Sequence, residues 1–200
     1  MKLNSPSSLR NRDVILDVLR TCAPTRGFAL ETSAGSGHHS VHFAAAFPEL
    51  QWQPTDLSDE ALRSIAAFRE EAALPNLLAP QRLDVTDATW APCPDGADLV
   101  VSINMIHISP WETAVGLFAG AARVLRPGGV LFTYGPYLVD GEFTAPSNER
   151  FEGWLKSLDP SYGQRDLDAL NELATAGGLV REQLIPMPAN NFSVIYRKPA

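Results

Sequence analysis

The sequence predicts an α/β domain built on an open, mostly parallel sheet. Three observations point there. Phe28-Ala29-Leu30 is an apolar run that ends on an acid, Glu31, and leads through a glycine turn (Gly35, Gly37) into a helical pattern at Val41, Phe43, Ala44 and Phe47. The next run, from Leu50, also ends on an acid, Asp56, one strand–helix–strand unit later. Ala97-Asp98-Leu99-Val100-Val101-Ser102-Ile103-Asn104 is nearly continuous in apolar character, as a strand covered on both faces requires.

The elements follow in order. Ser5-Pro6-Ser7-Ser8 caps a first helix, whose apolar residues Val14, Ile15, Val18 and Leu19 recur at helical spacing until Pro24 and Gly27 stop it. Arg10, Asn11 and Arg12 precede that apolar face. Either they are a solvated first turn, or segment 5–24 is a lid that sets Asn11 or an arginine such as Arg12 against a ligand. After Asp56, Ser58 caps a helix that reaches about Ala73. Leu77 to Val85 suits an edge strand, because Pro80 lacks the N–H a central ladder needs. Trp90 to Gly96, with Pro92 and Pro94, is loop. A helix from about Trp111 to Val124 ends in Leu125-Arg126-Pro127-Gly128-Gly129, where proline stops it and paired glycines turn the chain into a strand, Val130 to Tyr134. Tyr134, inside that strand, reads as core. Residues 135–162 read as a long inserted loop, the usual place for a cover or binding loop. A helix over Arg165 to Ala176 and two strands, Val180 to Ile185 and Phe192 to Tyr196, complete the chain.

Composition narrows the function. The 200 residues suit one domain, 1–200, with a sizeable core. A net charge of −7 without a lysine-arginine run argues against nucleic acid as the main partner, since phosphate contacts need concentrated basic side chains. Cys22 and Cys93 are too few for a disulfide framework or a zinc site. His38 and His42 stand four apart on a helix but lack the glutamate of a zinc motif, so no metal is expected. No apolar run approaches the ~20 residues that span a bilayer, and Met1 to Pro6 leads into no apolar segment, so the expectation is a reduced cytoplasmic protein.

The glycine turn carries the chemistry. A dinucleotide fingerprint reads G-x-G-x-x-G, but here the third glycine is Ser40, and Glu31 at the strand tip would repel a pyrophosphate. A cationic nucleoside suits the corner better. S-adenosylmethionine carries a sulfonium, an ammonium and no phosphate. Asp56, at the carboxyl end of the second strand, can accept both ribose hydroxyls.

Acid followed by glycines resembles motif I of the class I S-adenosylmethionine-dependent methyltransferases, which usually have glycine where Ser33 stands. Asp84-Val85-Thr86 resembles the motif by which that family receives adenine, and the Leu125 to Gly129 turn is another of its features. Arg10-Asn11-Arg12, Asn104-Met105-Ile106-His107-Ile108, Tyr134-Gly135-Pro136-Tyr137, Ala145-Pro146-Ser147-Asn148 and Pro188-Ala189-Asn190-Asn191 are similar to strings of the methyltransferase-like 26 family, once known only as a domain of unknown function. The resemblance implies a Rossmann-like three-layer α/β/α sandwich: a seven-stranded, mostly parallel sheet whose last strand is antiparallel. It implies S-adenosylmethionine as cofactor but lends no substrate; a small-molecule acceptor is the expectation left by the absence of a basic run and of a base-amine string. The cofactor residues would be Glu31, Ser33, Gly35, Gly37, Asp56, Leu57, Asp84, Val85 and Asn104. Asn104 and His107 follow the fourth strand, where the methyl group would meet its acceptor. His107 is either a general base or a residue that orients a loop. Asn11, Arg12, His107, Trp111, Tyr137 and Asn148 would line the acceptor side. The chain lacks the Asn/Asp-Pro-Pro-Tyr/Phe string of base-amine methylation. A non-catalytic domain that binds the cofactor or a protein partner on the same fold is the alternative, and a nicotinamide dehydrogenase is disfavoured by the glycine pattern. The acceptor atom and the oligomeric state stay open.

Overall fold

The computed structural model describes residues 2–200. Helix α1 (Pro6–Cys22) begins where Ser5 Oγ accepts from the Ser8 N–H, with Pro6 in the first turn. Strand β1 (Gly27–Thr32), helix α2 (His38–Ala46), strand β2 (Leu50–Asp56) and helix α3 (Asp59–Ala72) follow, and Ser58 caps α3 as its sequence suggests. The edge strand shrinks to β3 (Gln81–Arg82) and one bridge between Trp52 and Leu77, because Pro80 interrupts the ladder between them. Next come β4 (Ala97–Ile103), a short 3₁₀ turn (Ile106–Ile108), α4 (Trp111–Val124) and β5 (Leu125–Gly135).

Residues 135–162 are not an irregular loop. They hold β6 (Tyr137–Val139), β7 (Glu142–Phe143) and a helix, α5 (Pro146–Leu158). Asp140 and Gly141 both have positive φ, the Asp-Gly pair that closes a tight hairpin between β6 and β7. Pro146 starts α5 instead of breaking a segment. The chain ends through β8 (Arg165–Asp166), α6 (Leu167–Ala176), β9 (Val180–Met187) and β10 (Asn191–Arg197).

The main sheet has seven strands in the order β3-β2-β1-β4-β5-β10-β9. Pairings from β3 across to β5 are parallel, and β10 runs antiparallel to both of its neighbours. Period-2 alternation gives each face its own core. Val100 and Leu131 pack with Leu117 and Phe118 of α4 and Leu170 of α6. Leu99, Val101 and Phe132 pack with Ile15 and Leu19 of α1 and Phe43 of α2. The result is three layers, with the strand order reversing between β1 and β4. In open α/β sheets ligands bind at that reversal, outside the carboxyl ends of the strands.

Two glycines on α4 bring a loop to that end. A Cβ on Gly116 would lie 2.6 Å from Val85 O, and one on Gly120 would lie 2.0 Å from Trp90 Cζ2. Trp90 in turn donates from Nε1 to Val85 O (3.2 Å). Gly120→Ala should therefore lower the urea midpoint: alanine gains about 1 kcal/mol in helix propensity, but displacing a buried indole costs about 1–3 kcal/mol and disturbs the Val85 loop. Gly153, in α5, has open space where its Cβ would stand. Gly153→Ala should raise the midpoint, by the ~0.5–1 kcal/mol of a freely accommodated alanine.

Candidate functional site

The turn after β1 winds through positive φ at Ser33 (50°), Gly35 (58°) and Gly37 (94°). Ser33 holds a left-handed conformation that costs a non-glycine residue ~1–2 kcal/mol, which is why glycine suits the position. A Cβ on Gly35 would meet nothing nearer than Ser33 O at 4.0 Å, so the turn is open there. Gly37 differs. Its Cβ would stand 3.0 Å from Ile65 Cα, so this glycine lets α2 lie against α3 and is not on the cavity wall. Gly35 N–H donates to Asp56 Oδ2 and Ser58 N–H to Asp56 Oδ1, both at 2.9 Å. Two backbone donors thus fix the carboxylate at the tip of β2.

A cavity of about 570 Å³ opens at this corner. Ser33, Gly35, Asp56, Leu57, Asp84, Val85 and Asn104 all line it. Asp84 Oδ1 accepts from Thr86 N–H (2.9 Å) and Thr86 Oγ1 (2.7 Å), which leaves Oδ2 for a ligand. Asn104 has φ 56° and donates its N–H to Tyr134 O (2.8 Å). Glu31 is the correction. Its side chain lies beneath the turn, 2% exposed, where it accepts from Ser40 Oγ (2.6 Å) and Trp52 Nε1 (2.8 Å). Burial pushes its carboxyl up to about 7. It ties β1 to α2 and β2 and does not face the cavity.

The first turns of α1 roof this cavity with Ser5, Ser7 and Ser8, and His39 of α2 joins them. His39 Nε2 lies 2.8 Å from Asn11 Oδ1. An amide oxygen only accepts, so Nε2 carries the proton. Leu3 N–H donates to Ser64 Oγ (2.8 Å), and Lys2 pairs with Glu71 and stands 4.3 Å over the Phe68 ring. These ties moor the roof to α3.

A second cavity, of about 930 Å³, adjoins the first and shares Ser7, Asn104 and Ile108 with it. Asn11, His107 and Asn148 line it, as the sequence suggests, and so do Arg10, Tyr134, Phe151 and Trp154. Tyr134 is therefore both core and wall, at 4% exposure. His107 is 5% exposed; burial, helped by the charge of Arg165, lowers its pKa to about 4 and leaves it neutral at pH 7. Its ring meets Phe151 edge-on, with centroids 5.6 Å apart. Asn148 spends both N–H groups on Thr144 Oγ1 and Asn190 O, each at 3.0 Å. Asn190 in turn donates to Ser147 Oγ (3.0 Å), and this pins a turn in which Ala189 and Asn190 both have positive φ.

Three expected acceptor residues are elsewhere. Arg12 lies 200° around α1 from Arg10 in an ideal helix, so it faces Asp13 and His42 rather than the cavity. Trp111 packs its ring on the α4 side of the sheet, with Arg165 Cζ 5.9 Å from its centroid. Tyr137 is 1% exposed in the same core, near Leu167 and Leu170. Asn11 shares one face of α1 with Ser7, Arg10 and Val14, which were not named for the acceptor side although the periodicity is legible in the sequence. Phe151 and Trp154 stand three apart on α5 and needed that helix to be recognised. Asn190 stood only in a string that carried the family resemblance, with nothing local to place it in a wall.

The family model described as a protein of unknown function (DUF938) matches residues 2–198. The chain belongs to that family. This DUF938 member is similar in fold to several solved methyltransferases. An O-methyltransferase family protein from Burkholderia thailandensis matches with a TM-score of 0.82 at 16% identity, over 97% of this chain and 58% of that one. An O-methyltransferase family 2 protein from Planctomyces limnophilus, solved with apigenin, matches at 0.74 and 19%, over 94% and 61%. Human N-acetylserotonin methyltransferase, solved with S-adenosylmethionine, matches at 0.73 and 16%, over 95% and 52%. The DUF938 chain thus spans little more than half the length of these proteins and shares their Rossmann-like fold. Among the described residues no three metal-ligating side chains come together, and no helix is long and apolar enough to cross a membrane.

Proposed function

We propose that this chain is an S-adenosylmethionine-dependent methyltransferase acting on a small molecule in the cytoplasm, of the methyltransferase-like 26 type its strings resemble. One observation carries the reading: two cavities, one at the glycine turn and one beyond β4, meet at Asn104. The first fits the cofactor. Gly35 leaves the turn open, the Asp56 carboxylate suits a ribose diol, and Asp84 Oδ2 suits an exocyclic amine. A bound S-adenosylmethionine supplies a methyl group already activated on sulfonium sulfur.

The protein's work is then alignment and exclusion of water. Asp56 and Asp84 hold opposite parts of one ligand, α1 roofs both cavities, and α5 walls the second. Asn104 stands at the junction. His107 is neutral and offers a ring nitrogen to a donor on the acceptor. Its low pKa makes it a weak base, adequate for a proton that turns acidic only as the acceptor is methylated.

The test is incubation with methyl-labelled cofactor and a fractionated extract of small metabolites. Label is expected in the small-molecule fraction. Label confined to protein bands would overturn the small-molecule reading.

A further inference from the structure

The second cavity has a charge and shape that the methyl-transfer reading does not use. Its walls carry no aspartate or glutamate. Arg10 supplies their one full charge, and among the described residues no carboxylate pairs with it. A cationic acceptor would have to shed its hydration there without a counter-charge, which is costly. An anion would find a planar guanidinium matched to a carboxylate.

Phe151 and Trp154 stack on each other, centroids 5.4 Å apart and 21° from parallel. Trp154 nevertheless stays 52% exposed. An indole backed by another ring and open on its other side is a platform for a flat ligand. Beside Asn104, whose own amide makes no side-chain hydrogen bond, stands the neutral imidazole of His107, and the Asn148 Oδ1 in the same wall is also unspent. Both accept from an O–H donor.

We infer that the acceptor is a flat aromatic hydroxy compound bearing an anionic group, with its ring on Trp154 and Phe151, its anion toward Arg10 and its hydroxyl toward His107 and Asn104. The inference rests on the methyl-transfer reading. In that reaction the hydroxyl oxygen bonds the methyl carbon, the C–S bond breaks with its electron pair left on sulfur, and the hydroxyl proton passes to His107 and on to water.

Titration calorimetry on protein saturated with S-adenosylhomocysteine tests it without turnover. The probes share one scaffold: 4-hydroxyphenylacetate (anion), its amide (neutral), tyramine (cation) and 4-hydroxycyclohexylacetate (saturated ring). The acid should bind about tenfold more tightly than the amide, the gain of one charge-assisted pair, and tyramine weakest of all. Arg10→Ala should bring the acid down to the affinity of the amide and leave the amide unchanged, while Arg10→Lys recovers part of the difference. Trp154→Ala should weaken acid and amide alike and erase the preference for the aromatic ring. Tyramine binding as tightly as the acid, equal losses for acid and amide in Arg10→Ala, or no binding of any probe would overturn the acceptor class. Failure of S-adenosylhomocysteine itself to bind would instead bring down the methyl-transfer reading beneath it.

Discussion

Asp56→Ala is expected to weaken S-adenosylhomocysteine binding by about 10²-fold or more, the loss of two hydrogen bonds to a charged group at ~1.5–3 kcal/mol each. The size follows from where the carboxylate stands. It accepts Gly35 N–H and Ser58 N–H at 2.9 Å each, so it orders the open turn as well as lining the cavity. Alanine removes the ligand contact and frees Gly35 at the same time. The β2 ladder and the Ser58 cap of α3 do not depend on the side chain, so thermal unfolding should stay cooperative. Asp56→Asn separates the two contributions. An amide keeps one acceptor oxygen and loses the charge, so an intermediate affinity is expected. An Asp56→Ala protein that unfolds normally and binds with unaltered affinity would remove the ribose role.

How much of this corner was legible depends on what decides each position. Asp56 and Asp84 were legible because a strand tip and the residue after it settle where the carboxylate goes. Glu31 misled because strand parity matters as well. It shares a face with Ala29, the face covered by α1 and α2, so it points under the turn at Ser40 and Trp52. Gly35 and Gly37 look alike in sequence, and only the approach of Ile65 from a later helix shows that one borders the cavity and the other serves packing. Arg12 lost to Arg10 on helical phase, a point the sequence contained. The wall of the second cavity was hidden for a different reason. Within the stretch 135–162 that reads as loop, Pro146 begins a helix and Gly141, with Asp140, closes a hairpin. Once α5 is missed, Trp154 and Phe151 cannot be paired, and Tyr137, at the start of a strand directed into the core, is taken with Asn148 for the acceptor side.

Acid should destabilise this protein well above the range where ordinary carboxylates titrate, because each cavity contains a buried neutral imidazole. Burial lowers His39 from 6.5 to about 3, with His42, His38 and Arg12 adding positive charge around it, and lowers His107 from 6.5 to about 4. The folded state therefore binds fewer protons than the unfolded chain below pH 6.5. Stability from these groups is complete above 6.5 and is lost as the pH falls toward 4 and 3. At about 1.4 kcal/mol per pH unit, His107 accounts for about 3 kcal/mol and His39 for somewhat more. Glu31 works in the opposite sense. Its folded value is raised from 4.5 to about 7, so its contribution is complete below 4.5 and is lost as the pH rises through 7. Two groups outweigh one, and the urea midpoint should fall between pH 6.5 and 4. His39→Gln and His107→Gln should each flatten that fall, and Glu31→Gln should steepen it. The slope is read here, not the level, so a variant that is less stable at every pH still reports. Identical slopes in the parent and both histidine variants would mean that these imidazoles reach water freely, and the cavities would then be far more open than their walls suggest. A shallower fall confined to the histidine variants would tie the fold's acid limit to the same two rings that line the cavity at the glycine turn and the cavity beyond β4.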